Sequence, residues 1–391
     1  MRAEAVTEEV MIEPALLAPG SGEWRSLTPV DGSVDSGARG DVRQALLSAL
    51  QMQHLVVLAG SGCSIAAGGP SMGDLWNRVV GPQGIENAEA VLGLVNHNPA
   101  DRNVEALMSR LEAYLSVMPN SEAESFLVKA KEAILAECSG FLDRASLRAH
   151  QVFLHRLSRR RVRDQRLKIF TTNYDLCFER AASDIGGVAL DGFSFTSPRR
   201  YDPRYFDYDI VRRPKGGDDN GDYLEGVFLL HKVHGSVNWA KAEDGGIRES
   251  QAPDPGTACL IYPATGKYQQ SFAQPHLESV AQYLAAVRQP NTCVLTVGFG
   301  FNDNHLTEPL MAAVISNPHL RLVIVDPAAK EMASNNEHPH WPRLRAFSDQ
   351  GEDVWFLCMG FAELAEVIPD LKSLSPAASL MRIIEDVAKA K

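Results

Sequence analysis

The stretch LVVLAGSGCSIAAGGPSMG, residues 55 to 73, runs from a continuous apolar segment into a loop almost bare of side chains. Leu55 to Ala59 is the short aliphatic run of a strand buried on both faces. Glycine directly after such a strand lets backbone amides approach an anion, and the start of the next helix favours negative charge. A phosphate-bearing ligand is the natural candidate. The spacing is not G-x-G-x-x-G as it stands: Gly60 and Gly62 fit, but Ile65 occupies the third position. No Lys-Ser or Lys-Thr follows the glycines, which argues against a triphosphate-hydrolysing loop. By itself the segment defines a phosphate-friendly turn.

Outward from this loop the chain alternates. DVRQALLSALQMQ, from Asp41, has helical spacing, and a second helix is expected near Gly73 to Val80. LKIFT (167–171) reads as a buried strand, EGVFLLHKVHGSVNW restores a strand, and a helix is expected near 275–287. TCVLTVGFGF, RLVIVDP and DVWFLCMG are strands separated by helical segments. Continuous apolar strands alternating with helices predict an α/β fold, a Rossmann-like parallel sheet with helices on both faces. Between them, Val104, Leu107, Met108, Leu111 and Leu115, then Phe126, Ala130, Ile134 and Leu135, recur at three and four, so 81–160 is expected to be a helical insertion. Residues 1–39, rich in Gly, Ser, Pro and Asp, are expected to be a flexible arm, leaving 40–80 and 161–391 for the sheet domain.

Composition narrows the classes. The 391 residues are 45% hydrophobic and 22% charged, ordinary globular usage. No apolar run approaches the ~20 residues that cross a bilayer, and the N-terminus lacks a signal pattern, so a cytoplasmic location without membrane attachment is expected. Six cysteines without a CxxC pair predict neither disulfides nor a zinc site. A net charge of −11 argues against direct nucleic-acid binding. One basic cluster, HRLSRRRVRDQRLK (155–168), reads as a solvated helix end or as a docking face for a partner or for nucleic acid.

Ligands of open parallel sheets sit beyond the carboxyl ends of the strands. The groups expected there are GSGCS (60–64), TTNYD (171–175), HGSVNW (234–239), GFGFNDNH (298–305) and Asp326. Asp326 suits either a ribose hydroxyl or a turn before Pro327, and Asn173 and Asp175 suit either a ligand or a turn. Of two nearby histidines only one can face the cleft: His234, beside Gly235, is the cleft candidate, and His231, among Leu229, Leu230 and Val233, the core one.

In this order and spacing, GSGCSIAAGGP, TTNYD, HGS and GFGFND resemble the sirtuin family's glycine-loop, TQN-x-D, HG and GTS segments, most closely its bacterial antiphage defence branch, over about residues 41 to 370. The resemblance implies an NAD site. Gly60, Gly62 and Ser64 would meet the pyrophosphate, and Asn173 and Asp175 the nicotinamide ribose and nicotinamide. His234 would be the base at the ribose hydroxyls, Gly298 would lie on the adenosine side and Asp326 at the adenine ribose. Departures matter too. The four-cysteine zinc ribbon of protein-deacylating sirtuins is missing, their D-F-R is replaced by Ser71, Met72 and Gly73, and their TQN glutamine is Thr172. The implied activity is therefore NAD+ hydrolysis to nicotinamide and ADP-ribose, depleting NAD in abortive infection, with Asn173 and His234 catalytic and no metal. The alternatives are an NAD-dependent protein deacylase and a non-catalytic NAD or ADP-ribose sensor. Stand-alone members of that branch imply a HerA-like hexameric translocase ATPase as partner and a homo-oligomeric state.

Overall fold

Alternation of side chains across each strand organises the whole fold. A computed structural model describes residues 13–28, 36–160, 164–213, 224–261 and 274–370. Outside the described residues lie 1–12 and 29–35 of the expected arm, PKGGDDNGD, YPATGKYQQSF, Arg161 and Arg163 of the basic cluster, and 371–391. The strands are β1 (Ala15–Leu17), β2 (Arg25–Ser26), β3 (His54–Ala59), β4 (Leu167–Thr171), β5 (Val188–Leu190) and β6 (Val227–Lys232). They continue with β7 (Gly235–Lys241), β8 (Ile247–Glu249), β9 (Ala258–Leu260), β10 (Thr292–Val297), β11 (Leu320–Val325) and β12 (Val354–Cys358).

The main sheet has the order β2-β1-β12-β11-β10-β3-β4-β6-β5, and β12 through β5 are parallel. In β3, Leu55, Val57 and Ala59 enter one core, shared with the helices Ser36–Leu50, Arg148–Leu157, Cys177–Asp184 and Phe361–Val367. Val56 and Leu58 enter the opposite core, beneath His276–Val287, Asn304–Ser316 and Trp341–Asp349. Burial on both faces is the reason these strands read as unbroken apolar runs. From β3 the chain goes to β4 on one side, and β10 later returns to β3's other side. The topological switch point thus falls between β3 and β10. No helix among the described residues is long and apolar enough to cross a membrane.

Several expectations are corrected. The arm 1–39 is not wholly irregular: β1 pairs antiparallel with β12, Leu16 opposite Leu357, and Leu16 and Leu17 are fully buried. A three-residue apolar run is too short to show a period, so its strand was invisible in sequence. The insertion is shifted. The helices Met72–Val80, Ala88–Leu94, Val104–Val117 and Ser121–Gly140 share a core of Leu75, Trp76, Leu107, Leu111, Phe126 and Ile134. Arg148–Leu157, expected to belong with them, packs on the sheet through Val152, Phe153 and Leu157 instead.

The basic cluster is also redistributed. Arg156 donates to the carbonyls of Ala365 at 2.7 Å, Glu366 at 2.6 Å and Ile368 at 2.8 Å, which end a neighbouring helix. Arg160 donates to the Leu50 carbonyl at 2.5 Å, and Arg166 to Asp209 and to the Leu224 carbonyl. These three arginines satisfy carbonyls that helix and loop ends leave without intrahelical partners.

Candidate functional site

Three loops converge at the switch point, following β3, β4 and β10. The first and third touch backbone to backbone. A Cβ on Gly60 would lie 2.4 Å from the Gly298 carbonyl oxygen, and one on Gly62 would lie 2.5 Å from the Gly298 Cα. Gly298 itself holds φ +55°, in the left-handed region. The amides of Gly60 and Gly62 donate to the carbonyls of Val297 and Gly298, at 3.0 and 3.1 Å. Gly62 does not line the cavity described below, so its part here is to let the loops meet, whereas Gly60 and Gly298 do line it.

The second loop delivers the polar groups. The Asn173 amide donates at 2.8 Å both to the Gly60 carbonyl and to the Ser64 hydroxyl. The Ser64 hydroxyl donates in turn to Asp175 Oδ2 at 2.5 Å, while Asp175 Oδ1 accepts from the Cys177 amide at 3.0 Å. Asp175 therefore both forms a turn and faces the cavity, so the two readings of TTNYD coexist. Beneath the loop, the ammonium of Lys232, only 2% exposed, donates to the carbonyls of Tyr174 at 3.2 Å and of Asp175, and pairs with Glu179 at 3.1 Å. Burial pushes the Glu179 carboxyl up from its ordinary range, with Lys232 opposing that shift.

His234 lies in the turn that splits the expected single strand into β6 and β7. Gly235 makes that turn possible: it holds φ +87°, and a Cβ there would lie 2.1 Å from the Cys259 carbonyl oxygen. His234 is buried, and its Nε2 lies 3.2 Å from Nε2 of His305. His231 is indeed a core histidine, stacked against Phe170 and Phe206 with centroids 4.5 and 4.0 Å away. Burial and the Lys168 charge depress its pKa to about 3.

These groups line a cavity of about 590 Å³, within the usual range of ligand pockets. The β-loops supply Gly60, Ser64, Asn173, Asp175, His234 and Gly298, and the helical module closes the other wall with Met72, Arg102, Asn103 and Glu105. Cys138 also reaches the cavity, but burial pushes its thiol up to about 12, which leaves it a poor nucleophile. Asp326 does not line the cavity. Its carboxylate accepts from the Ala328 amide at 2.8 Å in a turn, and burial raises its pKa. Of its two sequence readings, the turn is the one the geometry realises.

Sequence reasoning missed Lys232, Arg102, Asp303 and His305. Asp303 and His305 sat inside the quoted GFGFNDNH, where a carboxylate two residues before an imidazole was the available signal. Arg102 had none, because it belongs to a helical module whose packing against the cleft no periodicity reports.

The fold and site define an α/β protein with a ligand cleft at the switch point of its sheet. Residues 167–343 match the family model of the SIR2-like domain, SIR2_2. No curated protein matches the chain. Solved structures resemble it at low identity. One of Sir2 with a deacetylated p53 peptide and 3′-O-acetyl ADP-ribose is 14% identical, with 84% of this chain and 96% of that one covered and a TM-score of 0.41. Sir2 bound to acetylated peptide is 14% identical, covering 83% and 95%, with a TM-score of 0.40. A Sir2 homolog–NAD complex is 15% identical, covering 83% and 91%, with a TM-score of 0.38.

Proposed function

We propose that the chain hydrolyses NAD+ to nicotinamide and ADP-ribose. The observation that supports this best is the convergence of Ser64, Asn173, Asp175 and His234 on one cavity at the switch point, within a chain that matches a SIR2-like domain. Breaking the bond between nicotinamide and the ribose C1′ passes through an oxocarbenium-like centre. The pyridinium leaves as neutral nicotinamide, taking the bonding electron pair, so it needs no acid. Water adds at C1′ and loses a proton. Asn173, fixed by Gly60 and Ser64, orients the ribose or the water, and His234 accepts the proton. The helical module's Arg102, the cationic side chain among the lining residues, suits the pyrophosphate.

A protein deacylase would need a channel for an acyl-lysine. Of the aromatic residues in 191–213, Phe193 and Tyr201 pack on each other and on Trp239, with centroids 5.3 to 5.9 Å apart, and neither lines the cavity. Control by a HerA-like translocase, homo-oligomerisation and a role in antiphage NAD depletion follow from the resemblance alone. Co-purification with such an ATPase, and sizing by light scattering, test them.

The central experiment incubates the purified chain with NAD+, with and without a translocase partner and DNA, and quantifies nicotinamide and ADP-ribose. Asn173→Ala and His234→Ala are each expected to lower turnover at least ~100-fold, the scale of positioning and general-base contributions. Equal product from wild type and both variants would overturn the assignment. Binding of NAD+ without any turnover would favour a sensor, and nicotinamide release only with acylated peptide a deacylase.

A further inference from the structure

Nε2 of His234 and Nε2 of His305 face one another across 3.2 Å. The rings do not stack: their centroids are 5.3 Å apart and their planes inclined by 37°. Two imidazole nitrogens at that separation either share an N–H···N hydrogen bond, one ring donating to the other, or turn both lone pairs onto one cation. A carboxylate oxygen of Asp303 completes the group, the three ligand atoms all lying within 4.8 Å of one another.

Asp303 stands at the N-cap of the helix Asn304–Ser316, one residue before the helix begins. Two imidazole nitrogens on one tetrahedral ion, each at its normal bond length of about 2.0–2.1 Å, lie about 3.3 Å apart. The observed separation is close to that. Two imidazoles and one carboxylate are the donor set of first-row divalent ions that keep positions open to solvent or substrate. The supports are fixed parts of the fold: the Gly235 turn holds His234, and the first turn of a 13-residue helix holds His305.

We propose that His234, Asp303 and His305 bind one first-row divalent cation, of the zinc class, at the edge of the cavity. The bound ion takes the Nε2 lone pair of His234. If hydrolysis proceeds as proposed above, that lone pair is withdrawn from proton acceptance, so zinc inhibits turnover. Only this consequence rests on the hydrolysis reading.

The test uses metal-stripped full-length protein, titrated with Zn²⁺ by calorimetry and with Co²⁺ by visible absorption. One equivalent is expected to bind, with a cobalt ligand-field band, and both signals are expected to vanish in His305→Ala and in Asp303→Asn while circular dichroism is retained. Asp303→Asn, nearly isosteric, keeps the test valid if His305→Ala fails to fold. No one-equivalent step in the wild type, or equal binding in wild type and variants, overturns the site. NAD+ turnover in the same samples is expected to fall on zinc addition and to resist zinc in Asp303→Asn. Stoichiometric zinc without inhibition overturns the inhibitory consequence and leaves the site intact. Absence of turnover from metal-free protein counts against the hydrolysis reading alone.

Discussion

Ser64 joins two side chains that stand 109 and 111 residues further along the chain, accepting from Asn173 and donating to Asp175. It is buried, so both of its partners lose a hydrogen bond that water does not readily replace when the hydroxyl is removed. Ser64→Ala is expected to lower stability by about 1–3 kcal/mol in urea denaturation and to raise KM or lower kcat for the substrate. Ser64→Thr, which keeps the hydroxyl, should recover part of both; an Ala variant indistinguishable from wild type would show that the network is ornamental. Ser64, Asn173, Asp175 and His234 were readable because short polar motifs after apolar strands are legible one at a time. Lys232 was not, since a lysine in HKVHG shows nothing of a fold that buries it beneath the loop of the neighbouring strand β4.

At the scale of elements, the short antiparallel β1 decides how the sheet ends. It covers the edge of β12, and Leu16 and Leu17 point into opposite cores. Leu16→Ala is expected to cost about 2–5 kcal/mol, measured as a shift in the denaturation midpoint. A flexible arm would give no shift. β4 was legible down to its ends, falling at Leu167–Thr171 as read, whereas β6 and β7 were read as one strand because nothing in the apolar run marks the Gly235 turn. Helices of the module were legible in kind but not in allegiance: Arg148–Leu157 carries the same 3.6-residue stripe whether it faces the insertion or the sheet.

Across the whole molecule, three buried histidines make stability depend on pH. Burial depresses His150 to about 4, His231 to about 3 and His276 to about 4. Neither ring nitrogen of His150 or His231 finds a partner among the described residues, so protonation there has nothing to offset it. The unfolded chain takes up these protons below about pH 6.5 and the folded chain does not, so stability falls as pH drops through that value. At pH 5.5 each costs roughly 1.4 kcal/mol, about 4 kcal/mol together, relative to pH 7.5 or above. The raised carboxyls of Glu179, Asp191 and Asp326 act in the opposite sense, favouring the folded state as pH falls, and offset part of this loss. Denaturant titrations across this window should show the loss, and His231→Phe should reduce it; a flat profile would contradict buried neutral histidines.

The cradle under TTNYD has a consequence for ionic strength. Mobile ions screen charges that water reaches and leave sealed ones almost untouched. Lys232 grips the Tyr174 and Asp175 carbonyls from inside the protein, whereas Arg102 stands exposed at the cavity mouth. Raising salt from 50 to 500 mM should therefore weaken binding of an anionic nucleotide through Arg102 while the loop keeps its shape. Calorimetry on Arg102→Ala should show weaker binding with a flatter salt dependence, and an undiminished slope in that variant would place the screened charge elsewhere.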